Sequence, residues 1–135
     1  MGRFFSLVQI KNNGSREQFL KAFCDVMKKR SLVPCSEKES SVSYILAFSE
    51  SGKWVTLASK EYRDNPKQVK DDAKQTAAEM KTSSFSMDVV DSDWTYIELH
   101  TGADVHDTVM VGRSEFDEEH SPKGRRECWE PILAP

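Results

Sequence analysis

The apolar residues of this chain change period along its length, from two to about 3.6 and back, in an order that a layered α+β architecture accommodates. Phe4 to Ile10 (FFSLVQI) is apolar on both alternating faces, with Phe4, Val8 and Ile10 on one side and Phe5 and Leu7 on the other. That pattern predicts a strand covered, at least in part, on both sides. Asn12, Asn13 and Gly14 then turn the chain, and Ser15 with Gln18 forms the S-x-x-Q capping box that satisfies two amide donors at a helix start. Phe19, Leu20, Phe23, Val26 and Met27 share one helical face, and Lys28, Lys29 and Arg30 suit the negative end of the helix dipole. Burying those side chains contributes on the order of 1.5 to 3 kcal/mol each before entropy is subtracted.

Two runs, Val42 to Ser49 and Trp54 to Ser59, flank a Gly-containing connection and predict a β-hairpin. Asn65 and Pro66 are a cap residue and the residue best tolerated at the first helical position; Val69, Ala73, Ala77 and Met80 then repeat at helical spacing to about Lys81. Ser84 to Val90 and Trp94 to His100 form a further strand pair around Asp91, Ser92 and Asp93, and Thr108 to Gly112 adds a last strand. The α-β-β unit thus occurs twice, with Trp54 and Trp94 opening the second hairpin strand each time. The order β-α-β-β-α-β-β-β predicts a largely antiparallel sheet with two amphipathic helices packed on one face; a ferredoxin-like βαββαβ core is the alternative topology. Residues 1–112 make one α+β domain. Periodicity ends after Gly112, so 113–135, which hold three of the five prolines, predict an irregular tail, acidic then basic, packed on the same domain through Trp129 and Ile132.

At 135 residues and 38% hydrophobic, such a chain buries roughly two thirds of its unfolded surface and builds a core without disulfide or metal. Cys24, Cys35 and Cys128 make no C-x-x-C pair and are odd in number, which argues against a disulfide framework and a zinc site and favours a reducing cytoplasm, with no cofactor expected. No apolar run approaches the roughly 20 residues of a membrane span, and Phe4 to Ile10 is too short for a signal-peptide core.

The net charge of -3 conceals a strong asymmetry. Residues 1–81 carry 15 basic and 10 acidic side chains, whereas 82–120 carry 1 and 10. A local negative field speeds encounter with a basic protein and repels nucleic acid; the same carboxylates also serve simply as a solvated surface.

Four side chains, His100, Asp104, His106 and Asp107, are the densest candidates for a metal site or acid–base pair, although polar residues are also the ordinary composition of a connecting loop. Asp88, Asp91 and Asp93 cluster near a turn, where Asp is favoured because its carboxylate accepts from nearby backbone amides. Cys24 lies beside the apolar helical face and reads as a small hydrophobe. On the strand from Trp94, alternation puts Trp94, Tyr96, Glu98 and His100 on one face and Thr95, Ile97 and Leu99 on the other. If Ile97 and Leu99 face the helices, the rings of Trp94 and Tyr96 are left on the open face, either as a partner-binding patch or beneath Arg125 to Pro131 (RRECWEP) folding back over them.

At Trp54-Val55-Thr56-Leu57 and Val90-Asp91-Ser92-Asp93-Trp94 the chain resembles a loosely defined set of bacterial α-β-β proteins with a W-V-T strand, a helix and a D-S-D turn, the resemblance covering about residues 42–112. Gly102 and Asp107 match the Gly and the acidic residue that usually follow, whereas Val111-Gly112-Arg113 and the acidic stretch Glu115 to Glu119 depart from the set's aromatic ending. Some members resemble immunity proteins of polymorphic toxin systems, and none carries known catalytic residues that transfer. The resemblance implies toxin immunity as one specific form of a non-enzymatic, cytosolic protein-binding module. Asp91, Asp93, Trp94, Glu115, Asp117, Glu118 and Glu119 are then the partner-binding residues. The alternatives are a small metal-dependent hydrolase built on His100, Asp104 and His106, and a structural or regulatory domain that dimerises through a sheet face or edge.

Overall fold

The central strand is the one whose sequence is apolar on both sides. In the computed structural model, which describes residues 4–39, 42–59, 66–90, 94–102, 104–112 and 123–134, β1 (Phe4–Lys11) lies between β3 (Trp54–Ser59) and β4 (Ser83–Val90), antiparallel to both. β2 (Tyr44–Phe48) flanks β3, while β5 (Trp94–Thr101) and β6 (Asp104–Gly112) continue beyond β4, giving one six-stranded sheet in the order β2-β3-β1-β4-β5-β6. Every pairing is antiparallel. The protein is an α+β sandwich with the expected order of elements through β6, and its four strands β2-β3-β1-β4 have the ferredoxin-like arrangement, extended at one side by β5 and β6.

The first helix, α1 (Arg16–Lys29), starts where the capping box predicts: Ser15 Oγ accepts from Gln18 N at 3.1 Å and Gln18 Oε1 from Ser15 N at 2.7 Å. It buries Phe19, Ala22, Phe23 and Val26, whereas Leu20, on the margin of the same stripe, remains 39% exposed. Cys24 is exposed as well, one helical step outside the buried face, so its role as a small hydrophobe is not realised. The second helix, α2 (Pro66–Glu79), contributes Val69, Ala73 and Ala77 to the same core, with Val8, Ile10, Val55 and Leu57 rising from the sheet. Beneath α2 the sheet offers Ser84 and Ser86, both buried, so small side chains on each side let helix and strand approach closely.

Between α1, α2 and β2 lies Asp72, a buried carboxylate that accepts from Arg30 Nη1 at 2.6 Å, Gln68 Nε2 at 3.0 Å and the Tyr44 hydroxyl. Burial first, and then the bond to Asp72 and its charge, push the Tyr44 phenol well above its ordinary value of 10.0.

Two expectations are corrected. The absence of periodicity after Gly112 predicts an irregular tail, yet Arg126–Leu133 form a third helix, α3, with Pro131 inside it and Cys128 buried. Eight residues span barely two turns, too few for a 3.6-residue repeat to register. β6 begins at Asp104 and not at Thr108, because a tight turn with Gly102 at φ +59° returns the chain at once and leaves Asp104 to Asp107 within the strand. Among the described residues no helix is long and apolar enough to cross a membrane.

Candidate functional site

The sheet has one margin at which β4, β5 and β6 end together. Val90 pairs with Trp94, and Trp94 with Gly112, so the connection 91–93 and the segment that follows Gly112 leave from the same end of adjacent strands. Asp91, Asp93, Glu115, Asp117, Glu118 and Glu119 lie outside the described residues; Trp94 is the first residue of β5.

The described carboxylates of the acidic stretch have different fates. Asp88 pairs with Lys70 and accepts from Ser6 Oγ at 2.6 Å. Glu98 lies 3.6 Å from Lys74 Nζ and 2.5 Å from His100 Nε2. Asp107 accepts from Arg125 N and from the Trp129 indole N–H, each at 2.8 Å, and its other oxygen lies 3.6 Å from Arg125 Nε. Asp104 is exposed on β6. Lys70 and Lys74, one turn apart on α2, thus neutralise the carboxylates that β4 and β5 present on the helical side of the sheet.

His100 is 2% exposed, on the strand face that looks towards α2. Desolvation is the largest influence on its imidazole and holds it below the ordinary value of 6.5, with Lys74 and Lys70 acting in the same direction and Glu98 opposing them. Near neutral pH the ring is therefore uncharged and Nε2–H donates to Glu98. Burial raises the Glu98 carboxyl, but the bond and charge of His100, with Lys74, outweigh it and leave Glu98 below its ordinary range. The sign of the linkage follows. An unfolded chain takes up a proton at His100 below pH 6.5 while the folded chain resists, so stability is lost as pH falls through that value. Glu98 loses stability in the same direction at lower pH. The urea midpoint is expected to fall between about pH 7 and about pH 5, and His100→Gln to flatten that window. An identical slope in the variant would assign the pH dependence elsewhere.

This geometry bears on the enzymatic alternative. His100 is buried against Glu98, whereas Asp104 and His106 are exposed on the neighbouring strand, and among the described residues no group of three or more His, Cys, Asp or Glu side chains could hold a metal ion. The three residues do not converge. Ser84 lies directly opposite His100 in the ladder, and its Oγ has no hydrogen-bond partner among the described residues. Serine, histidine and glutamate are a familiar set for acyl transfer, but Ser84 is 1% exposed, beneath α2 and not on an accessible surface.

The other face of the sheet reverses an expectation. Tyr96, Glu98 and His100 face the side of α2, while Ile97 and Leu99 face away from it and towards α3. Hence Tyr96 is not on the open face; its hydroxyl donates to Glu98 at 3.2 Å. The aromatic surface there comes instead from Trp54, Phe85 and Trp129, whose rings meet edge to face at centroid distances of 5.5 and 6.1 Å. The alternation in β4, where Phe85 and Met87 interleave with Ser84, Ser86 and Asp88, carries the signal for this face. An open groove of about 520 Å³ runs beside α3, lined by Phe85, Met87, Ile97, Val109, Trp129 and Leu133. The segment from Arg125 to Pro131 folds back not over Tyr96, as expected, but on the opposite face, where Trp129 meets Phe85 beside Ile97.

No family model, no curated protein and no solved structure matches the chain.

Proposed function

We propose that this domain is a non-enzymatic protein-binding module that captures a basic protein surface through the acidic end of its sheet. The observation that carries the reading is the pairing of Trp94 with both Val90 and Gly112, which sets the described residues flanking the two acidic segments together at one margin of the sheet. Asp88, Glu98 and Asp107 are each matched by an internal cation, so a partner's charge has its counterpart in Asp91, Asp93, Glu115, Asp117, Glu118 and Glu119, with Trp94 as the aromatic anchor. Immunity to a bacterial toxin domain is the specific form suggested by the resemblance to a set of bacterial α-β-β proteins, some of which resemble immunity proteins. His100, Asp104 and His106, the residues of the metal-dependent alternative, occupy different environments, which favours the binding reading over it.

The test is retention of proteins from a lysate of the source cells at low salt, by the wild-type chain and by the triple variant Asp117→Lys, Glu118→Lys, Glu119→Lys. A basic protein held by the first and lost by the second is expected, with affinity lowered by about ten- to a hundred-fold. Equal retention by both would overturn the reading.

A further inference from the structure

The two edges of the sheet are built differently. β6, at one edge, carries Asp104, His106 and Asp107, sits beside a register shift at Leu99/His100, and is bridged at Val109 by Lys123. Charges, a bulge and a covering segment are the ordinary devices that keep an edge strand from pairing with another chain. β2, at the other edge, carries no charge and no register shift, and no strand among the described residues covers it. Its sequence, Tyr-Ile-Leu-Ala-Phe, contains no charge, glycine or proline, its register with β3 is regular, and none of its residues is buried.

The direction of its backbone groups follows from the hairpin. Ser49 N donates to Trp54 O at 2.8 Å, so the next residue along the ladder, Phe48, belongs to the alternate, non-bonded kind of pair. Continuing the alternation, Tyr44, Leu46 and Phe48 turn their N–H and C=O groups away from β3, towards the outer edge. No strand among the described residues pairs with that edge. Beside it, Ile45 is 67% exposed and Ala47 is exposed; Ala47 opens onto a groove of about 500 Å³ that continues to Trp54, Leu7 and Phe85.

We propose that two copies of this chain pair their β2 strands antiparallel about a two-fold axis, joining two sheets into one. An isologous contact requires a self-complementary element, and an uncharged antiparallel edge is one. Full overlap of Tyr44–Phe48 sets Leu46 opposite the partner's Leu46, and Ile45 opposite the partner's Ala47, so the exposed isoleucine is covered by a small residue. A handful of residues per side falls short of the roughly 20 to 30 that a stable interface uses, so the dimer is weak and forms at high micromolar concentration. The acidic end lies across the sheet, on β4, β5 and β6, and the dimer presents it twice.

Sedimentation equilibrium from low micromolar to millimolar concentration tests this on the full chain. The wild type is expected to rise from 15.4 kDa towards twice that mass, with slower amide exchange at Tyr44, Leu46 and Phe48. The double variant Ile45→Lys, Ala47→Lys, both at exposed positions, should keep the wild-type circular dichroism and stay monomeric; Val105→Lys on β6 should dimerise as the wild type does. A wild-type chain that stays monomeric at millimolar concentration overturns the proposal. So does a dimer that survives the β2 variant, or one that leaves the β2 amides unprotected.

Discussion

Phe19→Ala is expected to remove about 3 to 5 kcal/mol of stability, a large fraction of the roughly 5 to 15 kcal/mol that a domain possesses. Phe19 is fully buried, its ring standing edge-on to Phe48 at 5.6 Å, within a cluster that joins α1 and α2 to β1 and β3. Truncation leaves a cavity bordered by secondary structure on several sides, which cannot collapse into it cheaply. Leu20→Ala, one residue along but 39% exposed, serves as the control and should cost about 1 kcal/mol or less. Urea unfolding followed by circular dichroism measures both. A loss at Phe19 no larger than at Leu20 would mean that α1 is not docked on the sheet by this face.

Asp72→Ala comes next, with an expected loss of about 3 kcal/mol. The cost arises less from the missing carboxylate than from what it leaves behind. Arg30, Tyr44 and Gln68 all direct donors at Asp72, and water replaces it poorly because the carboxylate position is 2% exposed. Arg30 itself is partly solvated, which keeps the figure at the lower end of the range for buried pairs. Replacing Arg30 and Asp72 together by Met and Leu should recover a large part of the loss, since an apolar pair imposes no desolvation penalty. If the double variant is as unstable as the sum of the single ones, the network is not the unit it looks to be.

The fold was legible in sequence wherever one periodicity dominated. Ser15 and Gln18 announced the start of α1, Pro66 that of α2 (the expected cap, Asn65, lies outside the described residues), and the two-sided apolarity of Phe4 to Ile10 anticipated the central strand. Legibility failed where two faces carried comparable apolarity. On β5, Ile97 and Leu99 alternate with Tyr96 and His100, and either set could line a helix. The choice was settled by partners far along the chain: Lys70 and Lys74 for the face with Glu98 and His100, and Trp129 and Leu133 for the other. Neither partner announces its direction locally. β4 illustrates the same point, because Ser84 and Ser86 are as buried as any core residue, yet serine in a strand is ordinarily read as facing solvent.

The candidate site was legible as composition, through the concentration of carboxylates in residues 82–120, but not as geometry. Which carboxylates are matched internally depends on α2 and on Arg125, in the one case 18 residues and in the other 18 residues along the chain from their partners at Asp88 and Asp107. Sequence separation of that kind carries no local trace. The alternation of Phe85 and Met87 with small polar residues marked two distinct faces but not which of them carries the helices, and the tail that partly covers the Phe85 face was marked only by its aromatic residue, Trp129.

The central claim is that negative charge at the end of β4, β5 and β6 governs encounter with a cationic protein. Stopped-flow association with the retained partner, measured across ionic strength, tests it most directly. The wild-type on-rate should fall steeply as salt rises, and the triple lysine variant should start tens-fold slower and respond weakly or in the opposite sense. Equal on-rates for both chains at low salt, with the same flat dependence on ionic strength, would contradict it.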